Sequence, residues 1–366
     1  MLQKLLLILL VLPALTASSS ALAQTPQPTI AAQAITSQLE MEVWVDEGKG
    51  LSKFGKTPGT LIIPQCKYRN FILTGLNRQN VAAYKKELSW LQVRCLELPK
   101  DLTNAELELY VNVGLLTYLT TLKLFDSDKL TNIAPLAKLQ NLTRLDLRLC
   151  VNLKDITPLA KLQNLTTLDL SSSASLKDIT PLAKLQNLTE LELNWCYNLK
   201  NITPLANLQN LTTLHLRSCE SLTDIALLSA LSKLTVLNLA RCKEIRNIKP
   251  LAWLPNLVEL DLSGCKKINS FYPISGLKKI EELQVTIPDN DLSFLRNLQQ
   301  LKKLKFGDCR GLSNVDSLTR LRKLEYLRFT DCKLITNATV NALKRKLPSC
   351  AVSKKDFLVP PDMRFD

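Results

Sequence analysis

Leu142-Thr143-Arg144-Leu145-Asp146-Leu147-Arg148-Leu149-Cys150-Val151-Asn152-Leu153-Lys154-Asp155-Ile156-Thr157-Pro158-Leu159-Ala160-Lys161-Leu162-Gln163-Asn164 is one copy of a pattern that recurs ten times. Its opening reads L-x-x-L-x-L-x-x-C, and its first position falls at Leu119, Leu142, Leu165, Leu188, Leu211, Leu234, Leu257, Ile280, Leu301 and Leu324. Every step is 23 residues except the 21 between Ile280 and Leu301. No single copy can bury its apolar side alone, so neighbours must stack around one continuous core. Leu145-Asp146-Leu147 alternates with period two, which is a short strand with Leu inward and Asp outward. Such strands pair in parallel, about 4.8 Å apart, and line the concave wall of a curved solenoid. The stretch 156–162 reads as one or two helical turns on the convex side, with Thr157 as the expected cap and Pro158 at the first helical position. Pro recurs there at Pro135, Pro181, Pro204, Pro250 and Pro273. Asn164 and its equivalents Asn141, Asn187 and Asn210 are expected to take the left-handed turn that returns to the strand.

A period of 20 to 29 residues with this signature is that of the leucine-rich repeat. The fold class is α/β, a repeat solenoid with parallel strands inside, short helices or turns outside, and a cap at each end. The stretch I-x-P-L-A-x-L-x-N-L at 156–165, 179–188 and 202–211 resembles bacterial leucine-rich repeats of the internalin type. The resemblance covers the repeat region and implies a binding scaffold. Three departures stand out: the period is 23 and not the internalin 22, Cys stands where internalins put Asn, and no wall-sorting motif is seen at the C-terminal end. Host-cell invasion is therefore not carried over.

Residues 1–23 read as a secretory signal peptide: Lys4, an apolar run at 5–15 too short to span a bilayer, and Ala21-Leu22-Ala23 before the expected cut at Gln24. No Cys follows the cut, and no later stretch reads as a membrane anchor. The expected location is secreted or periplasmic. The formal charge of +14 falls to +13 once Lys4 is removed. That balance suits anionic polymers, lipid headgroups or acidic proteins, or simply reflects Lys and Arg scattered over convex loops. Nucleic acid is not expected, because secretion argues against it.

Seven of the ten cysteines occupy the ninth repeat position: Cys150, Cys196, Cys219, Cys242, Cys265, Cys309 and Cys332. Ser127, Ser173 and Pro288 fill it in the other copies. A small, weakly polar side chain there packs as a hydrophobe and donates to a turn carbonyl, so a ladder of buried thiols is expected. A linear ladder supplies neighbours on two sides only, which does not suit zinc. Cys66, Cys95 and Cys350 lie outside the ladder. In an oxidising compartment a Cys66–Cys95 disulfide would staple the N-terminal cap.

Residues 24–38 read as a disordered linker. Residues 39–118 read as the N-terminal cap, with strands at Glu42-Val43-Trp44-Val45 and Thr60-Leu61-Ile62-Ile63, a helix near 80–91, and a second helix opened by Asp101 or Thr103. A small separate domain within 39–100 is the alternative. The ten copies occupy 119–336. A helix over 337–347, with Val340, Leu343 and Leu347 on one face and Pro348 as its stop, opens the C-terminal cap and tail at 337–366. In the short copy, Asp289-Asn290-Asp291 reads as an isolated turn, since it lacks most ligands of a calcium loop.

Function has to be argued from a site, because the fold hosts many. The third, fifth and seventh positions should face the concave solvent. The candidate ligand-binding residues are Arg144, Arg148, Asp169, Glu190, Glu192, His215, Arg217, Glu259, Asp261, Lys303, Lys305, Tyr326 and Arg328, with Trp195 just beyond its strand. Basic residues lie at both ends and acids between, which suits an extended polypeptide read by charge register. Trp195 and Tyr326 are the candidate aromatic anchors. The competing reading is that repeat strands need soluble side chains and these serve. Catalysis is not expected: His215 is the lone histidine, and no nucleophile elbow, phosphate loop or HExxH run is present. No cofactor and no metal are expected. Asn141, Asn164, Asn187, Asn201, Asn210 and Asn337 open N-x-[S/T] sequons, but the repeat itself generates most of them. The expectation is a secreted, non-enzymatic, protein-binding scaffold without a stable membrane anchor. The alternative is an envelope or extracellular binder of an anionic glycan.

Overall fold

The computed structural model describes the backbone of residues 33–37, 41–46, 51–56, 59–63, 68–73, 76, 79–90 and 93–355, and the side chains at 76, 79–86 and 93–355. The stretch 1–23, expected as a signal peptide, Cys66 and the tail beyond 355 lie outside the described residues. The N-terminal elements are β1 (Gln33–Ser37), β2 (Met41–Asp46), β3 (Leu51–Lys56), β4 (Gly59–Ile63), β5 (Tyr68–Leu73), α1 (Val81–Trp90), β6 (Cys95–Glu97) and α2 (Asn104–Asn112). The repeats then supply β7 (Thr121–Lys123), β8 (Arg144–Asp146), β9 (Thr167–Asp169), β10 (Glu190–Glu192), β11 (Thr213–His215), β12 (Val236–Asn238), β13 (Glu259–Leu262), β14 (Glu282–Val285), β15 (Lys303–Gly307) and β16 (Tyr326–Thr330). The chain closes with α3 (Asn337–Lys346) and β17 (Ala351–Lys355).

Spatial order follows chain order through the repeats. A 15-stranded sheet runs β17 through β6 in sequence and then β5, β2 and β3. The strands from β5 to β17 are parallel, and the register pairs like with like: Leu145 lies beside Leu122 and Leu168, and Leu191 beside Leu214. None of the fourth-position leucines from Leu122 to Leu327 is more than 2 % exposed. Each such leucine contributes roughly 2 kcal/mol of burial, so the stack is held by a spine that no single coil could supply. Near the C-terminal end the sixth position changes to Phe306 and Phe329, whose rings stack 5.5 Å apart.

Polar ladders tie coil to coil outside that spine. Second-position threonines pass a hydroxyl hydrogen bond down the stack, Thr166 to Thr143 O and Thr189 to Thr166 O, both 3.1 Å. The ninth-position thiols do the same in the interior. Cys150 Sγ donates to Leu124 O at 3.4 Å, Cys219 to Leu193 O at 3.2 Å and Cys242 to Leu216 O at 3.0 Å. All seven ladder cysteines are at most 1 % exposed and none is in a disulfide. Burial pushes the thiols of Cys150, Cys196 and Cys242 up to about 12, so they stay protonated donors.

Two turn assignments are corrected. The outer elements of the first nine copies are 3-10 turns of five residues, as at Thr157–Lys161. Thr157 does not cap its turn; the carboxylate of Asp155 accepts from Thr157 N at 2.8 Å. Asp178, Asn201 and Asp224 repeat that bond at 2.8, 2.9 and 2.8 Å. The hydrogen bond from Thr157 accordingly holds the Asp155 carboxyl below the usual carboxylate range. The left-handed residue is also not Asn164. Positive φ falls at the eighth position, at Leu149, Ser172, Trp195, Ser218 and Arg241 among others. There the backbone N–H turns toward the next coil, as in Trp195 N to Arg217 O at 2.7 Å. Asn164 instead donates its side-chain amide to Gln140 O at 2.9 Å, and Asn187 to Gln163 O at 2.9 Å. An amide that bridges coils needs no unusual backbone of its own.

The ends differ in detail from the sequence reading. Gln33–Ser37, inside the stretch expected as a linker, forms β1 and pairs antiparallel with β4. Val93, Leu96 and Leu98 repeat the V-x-x-L-x-L spacing and are buried, so β6 and α2 form one further coil with a true helix on its outer side. Thr103 and Glu106 cap that helix reciprocally. After α3, β17 extends the sheet by one strand.

Candidate functional site

The concave wall takes its side chains from the third and fifth positions of each repeat and part of the seventh. The seventh position was expected to share it and does so in part: Arg148 is exposed and Phe125, Arg217, Ser263, Gly307 and Thr330 are half-buried, but four of the ten residues are buried. Ser171, Asn194, Ala240 and Thr286 are only 3, 8, 0 and 5 % exposed. Asn194 is consumed structurally: its amide donates to Glu192 at 3.0 Å and its carbonyl oxygen accepts from Arg217 N at 2.9 Å.

The fifth-position row brings Asp146, Asp169, Glu192 and His215 side by side on adjacent strands. Arg148 binds this row, with Nη2 2.6 Å from Asp146 and Nε 3.2 Å from Asp169. Its guanidinium also lies 5.8 Å from the centre of the Phe125 ring, a cation–π contact that holds it over the first coils. Burial, followed by the flanking charges of Glu192 and Asp146, raises the Asp169 carboxyl to about 6, against a hydrogen bond from Ser171 that favours its anion. Arg144 reaches two coils along to Glu190 at 3.8 Å. Part of this chemistry is structural: Asp146, Asp169 and Asp261 each accept the backbone N–H two residues on, at 2.9–3.0 Å. Glu190 and Glu259 make no such turn bond.

Further along, Lys303 pairs with Glu282, Arg328 donates to the Tyr326 hydroxyl at 3.3 Å, and Lys305 stands beside Gln284 and Arg328 in the fifth row. The sequence-predicted residues therefore form two groups. Arg144, Arg148, Asp169, Glu190, Glu192, His215 and Arg217 share coils two to five, whereas Glu259, Asp261, Lys303, Lys305, Tyr326 and Arg328 lie toward the far end. Trp195 sits at the margin of the first group, 38 % exposed, with Tyr197 and Leu149 each 44 % exposed. Leu149 and Tyr197 were missed from the sequence; their signal is an apolar side chain at an eighth or tenth position otherwise filled mostly by small or polar residues. Trp253 and Tyr272, each 74 % exposed, were missed as well. They stand on the outer face, where other coils put polar, charged or small residues.

Among the described residues no group of three or more potential ligands is arranged to hold a metal ion. Asn290 of the short coil accepts from Ser313 N at 2.7 Å and Asn314 N at 3.0 Å, and Asp291 caps the next turn through Ser293 N at 2.8 Å. No described helix is long and apolar enough to cross a membrane.

Two family profiles match the chain. Residues 158–288 match the profile of plant disease resistance protein RPS2-like leucine-rich repeats, and residues 284–358 match the BspA type leucine-rich repeat region. No curated protein matches the sequence. Among solved structures, an internalin of Listeria monocytogenes is 25 % identical, covers 75 % of this chain and 83 % of its own, and gives a TM-score of 0.51. Internalin C2 of the same organism is 29 % identical over 62 % of this chain and 84 % of its own, with a TM-score of 0.41. The functional domain of its InlJ, described as including a cysteine ladder, is 20 % identical over 67 % of this chain and 66 % of its own, with a TM-score of 0.41.

Proposed function

This chain is a leucine-rich repeat protein of the bacterial internalin type, and on that premise we propose that it is a non-enzymatic scaffold whose concave wall binds a polypeptide. The observation that carries the reading is the group on coils two to five. There an ion-paired strip of Arg144, Asp146, Arg148, Asp169 and Glu190, with Glu192 next to Asp169 in the fifth row, borders the exposed apolar side chains Leu149, Trp195 and Tyr197. Apolar anchors beside a rim of fixed charge supply affinity and register respectively. The charged residues at the third, fifth and seventh concave positions of the ten copies are seven acids and seven bases, a balance that favours a mixed-charge polypeptide over an anionic glycan on this face. The reading includes secretion, with cleavage after Ala23.

The test is capture of partners from the native extracellular fraction by crosslinking and mass spectrometry. The expected result is a protein whose recovery falls at least about tenfold with Trp195→Ala and with Glu190→Lys, as for a hot spot and its charged neighbour. Recovery unchanged in both variants would remove the concave wall from consideration. Sequencing the mature N-terminus tests the cleavage site separately.

A further inference from the structure

The concave wall is balanced in charge, so the net charge of +14 must lie elsewhere. Most of it collects on the outer face. The eight residues that begin each 3-10 turn and run to the next strand, from 134–141 to 316–323, carry eleven Lys or Arg side chains and one acid, Asp316. That acid is taken by Lys346 at 2.8 Å. All eleven cations are exposed, and among the described residues none is in a salt bridge. Where they have partners these are neutral: Lys233 donates to Asn210 and Lys279 to Asn256, each at 2.7 Å.

The same face carries the two most exposed large apolar side chains described, Trp253 and Tyr272, with Leu227 on the turn before them. Leu227, Trp253 and Tyr272 belong to three successive 3-10 turns, Ala226–Ala230, Lys249–Trp253 and Tyr272–Gly276, and are 41, 74 and 74 % exposed. Trp253 has Ala230 and Gly276 at the equivalent position of the coils on either side, too small to cover the indole, and it is 74 % exposed. These coils carry Lys233, Lys249, Lys278 and Lys279 on the same segments and no acid. They are also the middle coils of the repeat array, the part of an outward-curving face that meets a flat surface first.

We propose that this outer face docks on an anionic lipid bilayer, with Trp253, Tyr272 and Leu227 entering the headgroup region and the lysines beside them facing lipid phosphates. Trp and Tyr are amphipathic in the manner the interface requires, apolar in body and polar at the tip. Lysines near an anionic leaflet gain a screened attraction that neutral membranes do not offer. A linear soluble polyanion would use the cations but has no use for three bare apolar side chains at the centre of the array. Docking this way leaves the concave wall turned to solvent, and the inference does not rest on the reading of that wall.

The experiment is co-sedimentation of the full chain with vesicles of phosphatidylcholine alone and with vesicles in which roughly a third is phosphatidylglycerol. Binding to the anionic vesicles only, lost between about 0.05 and 0.5 M salt, is expected. Trp253→Ala with Tyr272→Ser should weaken it at least about tenfold, while Glu190→Lys should not weaken it. Brominated lipid should quench a tryptophan component that Trp253→Phe removes. The apolar segment at 5–15 is common to every variant, so differences among them report the outer face. The inference is overturned by anionic binding that survives the double variant, by equal binding to neutral vesicles, or by binding to soluble dextran sulfate with none to vesicles. As a second variant, Lys249→Glu with Lys278→Glu leaves the apolar side chains in place and should also abolish sedimentation; retention would equally overturn it.

Discussion

At the scale of one residue, the ninth repeat position shows how narrowly the interior discriminates between chemically similar side chains. Five of its cysteines reach the carbonyl of the preceding coil at 3.0–3.4 Å. Ser127 and Ser173 occupy the same slot, are 0 % exposed, and leave their hydroxyls without a partner. The shorter C–O bond falls short of an acceptor that the longer C–S bond reaches, and an orphaned buried hydroxyl costs about 1–3 kcal/mol. Ser173→Cys should therefore stabilise the protein by about 1 kcal/mol in urea denaturation under reducing conditions, and Cys219→Ser should destabilise it by a similar or larger amount. A loss of stability in Ser173→Cys would mean that the third coil has closed around its serine. Asp169 makes a second residue-scale prediction. Its folded pKa, about 6, stands above the ordinary 3.8, so between those values the folded state holds the proton more tightly than the unfolded state. The stability this gives is fully present below the unfolded value and is lost as pH rises toward 6. Asp169→Asn keeps an oxygen for Ser171 N and removes the ionisation. Relative to the parent it should gain on the order of 1–2 kcal/mol at pH 7 and show little difference near pH 4. Urea midpoints at the two pH values decide it, and a difference that does not change with pH would mean the carboxyl is not held high.

At the scale of elements, the short coil is the place where the repeat is broken and must be repaired. Elsewhere the eighth-position N–H reaches the next coil's backbone, but Gly264 N is met by the Thr286 hydroxyl at 2.8 Å, which in turn donates to Gly307 O. Two missing residues also draw Pro288 against the following coil. A Cβ on Gly311 would lie 2.6 Å from Pro288 O and 2.9 Å from Asp289 Cα. Both contacts are backbone, so neither can step aside. Gly311→Ala should cost about 1–3 kcal/mol by overpacking, read as a lower thermal midpoint, whereas Gly276→Ala on an open turn should cost little; equal effects would deny the close approach. The 21-residue step was legible in the sequence, and so were the strands, the inward leucines and the thiol ladder, because each follows from a period of fixed length and a two-residue alternation. The extra coil at β6 was also spelled out, in Val93, Leu96 and Leu98, but a 26-residue step to Leu119 hid it from a search at 23. What the pattern did not disclose was which polar atom does which job. Asp155 and Thr157 are both good caps by composition; the turn starts at Thr157 itself, so the carboxylate two residues earlier takes the Thr157 N–H. Asn164 favours a left-handed turn in isolation, but a carbonyl one coil away offers its amide a better use. The left-handed eighth residue left a weak signal, since Asp126, Ser172, Ser218, Gly264, Asp308 and Asp331 suit that backbone but Leu149, Trp195 and Arg241 share it.

At the scale of the whole molecule, stability is a sum over coils and their interfaces, which makes the chain divisible in a way that a globular domain is not. The second to fourth copies are nearly identical along their outer halves, each reading D/N-I-T-P-L-A-K/N-L-Q-N-L from Asp155, Asp178 and Asn201. Removing residues 165–187 takes out one 23-residue step and joins Asn164 to Leu188 with every ladder still in register. Thr189 would donate to Thr143 O in place of Thr166 O, Cys196 to Leu147 O in place of Leu170 O, and Asn210 to Gln163 O in place of Gln186 O. The leucine spine would close with Leu191 beside Leu145. The excision also removes Ser173, whose hydroxyl has no partner. The shortened chain should therefore fold cooperatively with the strand content of the parent less one coil. Its urea m-value should fall by roughly a tenth, in proportion to the surface one coil contributes. Polypeptide binding on the concave wall should fail, because Asp169 is lost and Arg144 now lies one coil from Glu190 instead of two. Vesicle binding should persist, since Trp253, Tyr272 and Leu227 lie beyond the cut. A shortened chain that does not fold would show that the coils are not interchangeable, and that particular neighbours, not a shared spine, hold the solenoid together.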